Sequence, residues 1–110
     1  MELSIDLHYL SQISFNDKNI MNEMLQEWIS DTFNRIEEFK SNVNSENTKI
    51  KFNIIHTLKT NYFMIGCQPL IKLCEEFLNS EMDEVTSLAL LNELKLSLPF
   101  LLTKITNSSK

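Results

Sequence analysis

The chain has 110 residues, of which ten are basic and fifteen acidic, giving a formal charge of −5 at pH 7. Hydrophobic residues make up 43% and charged residues 23%, the balance of a soluble globular domain rather than of a disordered chain. There are one glycine and two prolines. Because sheets need turns and turns need such residues, this scarcity favours a few long helices joined by short loops. The acidic balance disfavours nucleic acid as a partner, since a phosphate backbone calls for a basic face.

Apolar residues recur at three- and four-residue steps along most of the chain, which is the spacing of amphipathic helices. We predict five helices, at about residues 6–11, 17–42, 47–65, 69–79 and 84–106. The segment Phe15-Asn16-Asp17 supplies cap candidates for the second helix, and Asp83 can cap the last helix. Pro99 lies inside the last helix and is expected to kink it. These elements predict a single domain over residues 1–110, with a frayed tail at 107–110.

The most apolar stretch covers residues 88–102, but polar residues and a proline interrupt it. We therefore do not expect a membrane span. The first six residues carry acids where a secretory signal has lysine or arginine. Cys67 and Cys74 are seven residues apart, which along one helix is too far for a disulfide. We interpret them as packing residues of a protein in a reducing compartment. The expected location is the cytoplasm.

The third predicted helix contains the residues with the most chemistry. Its buried stripe is predicted to consist of Ile55, Leu58, Tyr62 and Ile65. His56 lies about 100° around the helix from the start of that stripe, so we place it at the edge of the buried face. Lys59 and Thr60 follow at i+3 and i+4 and are its neighbours on the helix surface. An exposed imidazole has a free nitrogen lone pair and is an available nucleophile, and a lysine one turn away would offset the charge of a phosphoryl group on it.

A motif starts at His56 and reads His-Thr-Leu-Lys-Thr, with Gly66 ten residues after the histidine. It resembles the signature of histidine phosphotransfer domains, which is His-x-Leu-Lys followed by glycine or another small residue, with a further glycine about six residues later. The resemblance covers about residues 5–106. It implies an all-α fold, an antiparallel four-helix bundle in up-down-up-down order with a short extra N-terminal helix. Thr60 departs from the family, which most often has glycine there, and its bulk would tighten access to the histidine.

The resemblance also implies a function, that of a phosphocarrier in a two-component phosphorelay. His56 would accept a phosphoryl group from the aspartate of a receiver domain and pass it on, Lys59 would stabilise its charge, and Thr60 would leave space. The receiver would bring magnesium, so no cofactor is expected in this chain. The implied docking face consists of Asn53, Phe63, Met64, Gly66 and Gln68. We expect a monomer whose partner is a receiver domain, although a bundle helix with spare apolar surface leaves dimerisation open.

The sequence leaves two questions open. The first is whether Gly66 ends its helix in a left-handed cap or lets the following segment approach closely. The second concerns function, since the chain could instead be a non-catalytic helical-bundle binding module that keeps the fold without phosphotransfer. The intact pair of His56 and Lys59 favours transfer, and a buried or blocked histidine would favour the binding module.

Other chemistries find no support in the sequence. The Glu-x-x-His pairs of a di-iron bundle are missing, and no group of His, Cys and carboxylates has zinc spacing. The single glycine excludes a phosphate loop or a dinucleotide fingerprint. No self-contained active site is visible, which suits a carrier whose chemistry is completed by its partner.

Overall fold

Five α-helices make up 77% of residues 2–108, the range that the computed structural model describes, and no β-strand occurs in that range. The helices are α1 (His8–Ile13), α2 (Lys18–Lys40), α3 (Thr48–Met64), α4 (Gln68–Leu78) and α5 (Glu84–Ser108). The predicted all-α class is confirmed.

Asp17, one of the three candidates before the second helix, caps α2, and the predicted cap at Asp83 is present in α5. Asp17 Oδ1 accepts hydrogen bonds from Asn19 N at 2.8 Å and from Ile20 N at 3.1 Å, so α2 begins where the sequence placed it. Asp83 Oδ1 accepts one from Thr86 N at 2.8 Å at the start of α5. Hydrogen bonding to the Thr86 side chain and backbone lowers the pKa of the Asp83 carboxyl.

The first helix begins later than predicted, at His8 rather than at residue 6. Asp6 is held outside it by a long-range contact, because its backbone N donates a hydrogen bond to Ile65 O at 2.8 Å. The Asp6 carboxylate in turn accepts a hydrogen bond from His8 N at 2.9 Å. The N-terminal arm, residues 2–7, is thereby attached to the end of α3.

The core lies between the four longer helices. α2 packs against α3 and α5, and α4 packs against the same two helices, while α1 rests on α2. The rings of Phe39 on α2 and Phe77 on α4 meet edge to face, with their centroids 5.4 Å apart. This aromatic contact joins two helices that are separated by α3 in the sequence.

A buried polar cluster sets how α2 lies against α3. The Trp28 indole donates a hydrogen bond to Asn61 O at 2.6 Å, as expected of a core tryptophan. The Asn61 amide donates to Asp31 Oδ2 at 2.8 Å and to Thr32 Oγ1 at 3.1 Å. Because each buried polar group has a partner, the cluster stabilises one register of the two helices.

Lys51 on α3 is buried, and its ammonium connects two loops. Nζ donates hydrogen bonds to Val43 O at 3.0 Å, in the loop before α3, and to Met82 O at 2.9 Å, in the loop before α5. A buried ammonium needs such acceptors, because an unpaired buried charge is costly. Lys51 therefore ties together the two loops at this end of the molecule.

α5 runs from Glu84 to Ser108 and continues past Pro99. Asn107 and Ser108 belong to the helix, and the rest of the tail predicted to fray lies outside the described residues. By length and composition α5 would be able to span a membrane, and about a third of its apolar window is buried in the protein. A single such helix is weak evidence for a span, because mostly buried core helices of soluble proteins pass the same test. Leu88, at the start of the apolar stretch in the sequence, is half exposed.

Candidate functional site: the exposed face of the third helix

α3 has one buried and one exposed face. Its buried residues are Lys51, Ile54, Ile55, Leu58, Asn61 and Tyr62. At about 100° per residue these centre on the side opposite His56, which is exposed. The histidine therefore lies near the middle of the exposed face and not at the edge of the buried face as predicted. Ile54 and Asn61 widen the buried face on the side away from Ile55, so that His56 is more than about 90° from a buried residue in either direction.

We call the exposed side of α3 the histidine face, which comprises Phe52, His56, Lys59, Thr60 and Phe63. These residues recur at i, i+4, i+7, i+8 and i+11 and fall within about 100° of arc. All are exposed except Lys59, which is half-buried. The structure thus brings together the three residues predicted to act in transfer and one predicted docking residue.

Phe52 stacks on the imidazole of His56. The ring centroids are 5.8 Å apart and the planes are inclined by 18°. Phe52 therefore lies against one side of the imidazole, and the His56 side chain remains exposed to solvent. Sequence reasoning did not assign Phe52, although an aromatic residue four positions before a helical histidine was the signal available.

Lys59 is a cation free of any ion pair within residues 2–108. Its charge acts on Cys74 of α4, where burial raises the pKa of the thiol to about 12 and Lys59 opposes the rise. Lys59 itself lies one turn after His56 on the histidine face and is half-buried.

The hydroxyl of Thr60 donates a hydrogen bond to the backbone O of His56 at 3.3 Å. This is the usual back-bonding of a helical threonine to the carbonyl four residues earlier. The hydroxyl is thus occupied by the backbone, and the side chain remains exposed beside the histidine. Thr60 leaves the imidazole accessible despite being bulkier than glycine.

Two aromatic side chains lie at the end of the histidine face where α3 finishes. Phe63 is 56% exposed and meets the ring of Tyr9 edge to face, with centroids 5.6 Å apart. Tyr9 comes from α1, more than fifty residues earlier in the sequence, so no local pattern could have placed it there. Together with Phe52, these rings place exposed aromatic side chains before and after the histidine along the face.

The other predicted docking residues lie at the margins of this face. Asn53 is exposed one turn before His56, and its backbone O accepts a hydrogen bond from Thr57 Oγ1 at 3.0 Å. Met64 is half-buried and packs against the core. Gln68 is exposed at the first residue of α4 and forms no hydrogen bond to the histidine face within residues 2–108.

Gly66 ends α3 in a left-handed conformation, and another segment also approaches it closely. Its φ is +64°, and its N–H donates a hydrogen bond to Phe63 O at 3.0 Å just after the end of α3. A Cβ on Gly66 would lie 2.8 Å from Asp6 Cβ and 2.9 Å from Asp6 O. The close approach is made by the N-terminal arm and not by the following segment, so that part of the prediction was wrong.

Both cysteines are buried free thiols. Burial raises the pKa of Cys67 as well as that of Cys74, which disfavours the nucleophilic thiolate form. Within residues 2–108, no cluster of three or more His, Cys, Asp and Glu residues is arranged to hold a metal ion. The exposed nucleophile beside a free cation is therefore His56.

The chain matches no protein-family model, no curated protein and no solved structure. Its function must therefore be argued from the histidine face itself.

Proposed function

We propose that the chain is a histidine phosphotransfer protein, which accepts a phosphoryl group on His56 from a receiver aspartate and donates it to another. The observation that carries the proposal is the position of His56 near the middle of an exposed helix face, with free Lys59 one turn on. A histidine that belongs to the core would be buried with a hydrogen-bond partner, whereas His56 is exposed. A histidine on an ordinary solvated face has no need of a free lysine one turn away. Phe52 stacks beside the imidazole, which stays exposed.

The chemistry needs few groups from this chain. A ring nitrogen lone pair of neutral His56 attacks the phosphorus of the aspartyl phosphate in line, so that a P–N bond forms as the P–O bond breaks and the receiver regains its carboxylate. Lys59 offsets the negative charge that the imidazole acquires. The family resemblance implies that the receiver supplies magnesium. Return of the phosphoryl group to a second receiver reverses the same step.

The surroundings of His56 suit a docking surface. Phe52 and Phe63 flank it on α3, and Tyr9 extends the apolar area from α1. Exposed aromatic rings are enriched where proteins bind one another, because they bury large areas at low entropy cost. A receiver domain that covers these rings would bring its aspartyl phosphate to the imidazole and exclude water from the transfer.

The arrangement of helices is part of the proposal. The contacts of α2 with α3, α3 with α4, α4 with α5 and α5 with α2 close a ring of four helices. Connections of three to seven residues join consecutive helices, and loops this short make consecutive helices antiparallel neighbours. We infer the up-down-up-down four-helix bundle that the resemblance implies, with α1 as the extra N-terminal helix. A cytoplasmic location, where receivers and buried free thiols are expected, completes the proposal.

The competing function is a binding module that keeps the fold without transfer. A buried or blocked histidine would favour it, whereas His56 is exposed and Thr60 directs its hydroxyl to the backbone. The test is phosphotransfer from a panel of receiver domains carrying labelled phosphate. Acid-labile label on the wild-type chain and none on a His56→Gln variant is the expected result. Receivers that bind the chain through Phe63 without passing on any label would instead identify a binding module.

A further inference from the structure

α5 carries an exposed stripe that the proposed transfer does not use. Leu96 is 60% exposed and Phe100 is 65% exposed, although they are large apolar residues in the middle of a long helix. They line a surface cleft of about 460 Å³ together with Leu3 of the N-terminal arm. Apolar side chains this large, clustered around one cleft, mark an interaction surface more often than an ordinary solvated face.

Charged residues stand at both ends of the stripe. Glu93 precedes Leu96 by three residues and Lys104 follows Phe100 by four, and both line the same cleft. At about 100° per residue the four side chains fall within about 80° of arc. Neither charge has an ion-pair partner within residues 2–108. The stripe therefore reads acid, apolar, apolar, base along one side of α5.

We propose that this stripe pairs with the same stripe of a second copy of the chain, in an antiparallel helix contact. A two-fold axis midway between Leu96 and Phe100 places Leu96 of each copy against Phe100 of the other. The same axis brings Glu93 of each copy to Lys104 of the other, so both charge pairs form at once. An isologous contact requires a surface to be complementary to itself, and this order of side chains meets that requirement.

The charges favour a second copy over a lipid surface as the occupant. Binding to anionic lipid calls for an excess of basic residues around the apolar patch. Here Glu2 and Glu93 in the cleft outnumber Lys104, and the whole chain carries a charge of −5. The dimer departs from the monomeric state expected from the sequence. It leaves His56 free, because α5 packs against α2 and α4 whereas the histidine face of α3 is turned to solvent.

The test is sedimentation equilibrium of the full chain, with charge reversal as the specific probe. We expect the wild type to move from the 12.9 kDa monomer to a dimer over a micromolar concentration range. Glu93→Lys and Lys104→Glu should each weaken association by about 5-fold, and the double variant should restore it. Leu96→Asp should weaken it by at least about 30-fold. Val85→Asp, three turns earlier on the same helix and also exposed, is the matched control and should leave it unchanged.

Circular dichroism of each variant establishes that the helices are intact before association is compared. A wild type that stays monomeric throughout the range would overturn the proposal, as would a double variant no better than either single one. Binding of the wild type to vesicles of phosphatidylcholine and phosphatidylglycerol, abolished by Leu96→Asp and without self-association, would also overturn it and assign the stripe to lipid. None of these results depends on whether His56 is phosphorylated.

Discussion

Replacing Gly66 with alanine should destabilise the protein for two separable reasons. The residue has a φ of +64°, a left-handed conformation that costs a residue with a Cβ about 1–2 kcal/mol. The new Cβ would also lie 2.8 Å from Asp6 Cβ and 2.9 Å from Asp6 O, closer than such atoms pack. The N-terminal arm must then move away.

Displacement of the arm has a cost of its own. It breaks the hydrogen bond from Asp6 N to Ile65 O, 2.8 Å long, worth about 1 kcal/mol. Adding this to the backbone strain and to residual overpacking gives a total loss of about 2–4 kcal/mol for Gly66→Ala. In a chain that lacks residues 1–6, only the backbone strain of about 1–2 kcal/mol should remain.

The assay is urea unfolding of four proteins, namely the full chain and the shortened chain, each with and without Gly66→Ala. The double-mutant cycle removes the direct effect of the truncation and isolates the contact between the arm and position 66. A coupling of about 1–2 kcal/mol is expected from the lost hydrogen bond and the relieved crowding. If Gly66→Ala lowers the free energy of unfolding by the same amount in the full and the shortened chain, the close approach of the arm is not the cause of the loss.

Three further changes test the interior of the bundle by chemical denaturation. Tyr62 has a buried hydroxyl with no hydrogen-bond partner within residues 2–108, so Tyr62→Phe should keep the free energy of unfolding or raise it by up to about 1 kcal/mol; a clear loss would contradict this. Lys51→Met removes two hydrogen bonds from a charged donor and should lower that free energy by about 2 kcal/mol, since relief from burying the charge offsets part of the loss; an unchanged value would show that the bonds contribute nothing net. Burial raises the pKa of the Cys74 thiol from 9.0 to about 12, so the folded protein holds this proton more tightly than the unfolded chain does. The contribution of that proton to the free energy of unfolding is complete below pH 9.0 and is lost as the pH rises towards 12. Cys74→Ala should therefore make stability fall less steeply with alkaline pH, and an identical slope in both proteins would count against the shift.

Local signals in the sequence were sufficient for the starts of α2 and α5. Asp17 was among the cap candidates for α2 and Asp83 was the candidate for α5, because a short acceptor side chain at a helix start satisfies free backbone N–H groups, and both do so. The left-handed cap at Gly66 follows from the same kind of reasoning, since glycine adopts positive φ without strain. Each of these features depends on a few neighbouring residues.

Features that depend on distant residues were missed or misplaced. The first helix starts at His8 because Asp6 is bound to Ile65, nearly sixty residues away, and no periodicity reports such a contact. Tyr9 joins Phe63 through the same attachment of the arm. The position of His56 was misjudged for a related reason, because the width of a buried face is set by which helices pack on it and not by one apolar stripe.

The sequence predicted which residues form the site, but not how their side chains are arranged on the surface. The sequence indicated a histidine with a lysine one turn on, which the structure shows on one helix face. The stack of Phe52 on the imidazole lies within one helix, and its signal, an aromatic residue four positions before His56, was present in the sequence but was not used. The contact of Tyr9 with Phe63 had no such local signal, because it depends on how α1 packs beside α3.

The most direct measurement of the central claim compares the two histidines of the chain as phosphoryl acceptors. His8 and His56 are both exposed, so His8→Gln and His56→Gln are matched variants that differ in the surroundings of the residue removed. Each is mixed with a receiver domain that phosphorylates the wild type, and the acid-labile label per chain is determined. If His56 is the acceptor, the His8→Gln variant should be labelled fully and the His56→Gln variant not at all. Label that persists on the His56→Gln variant would contradict this assignment.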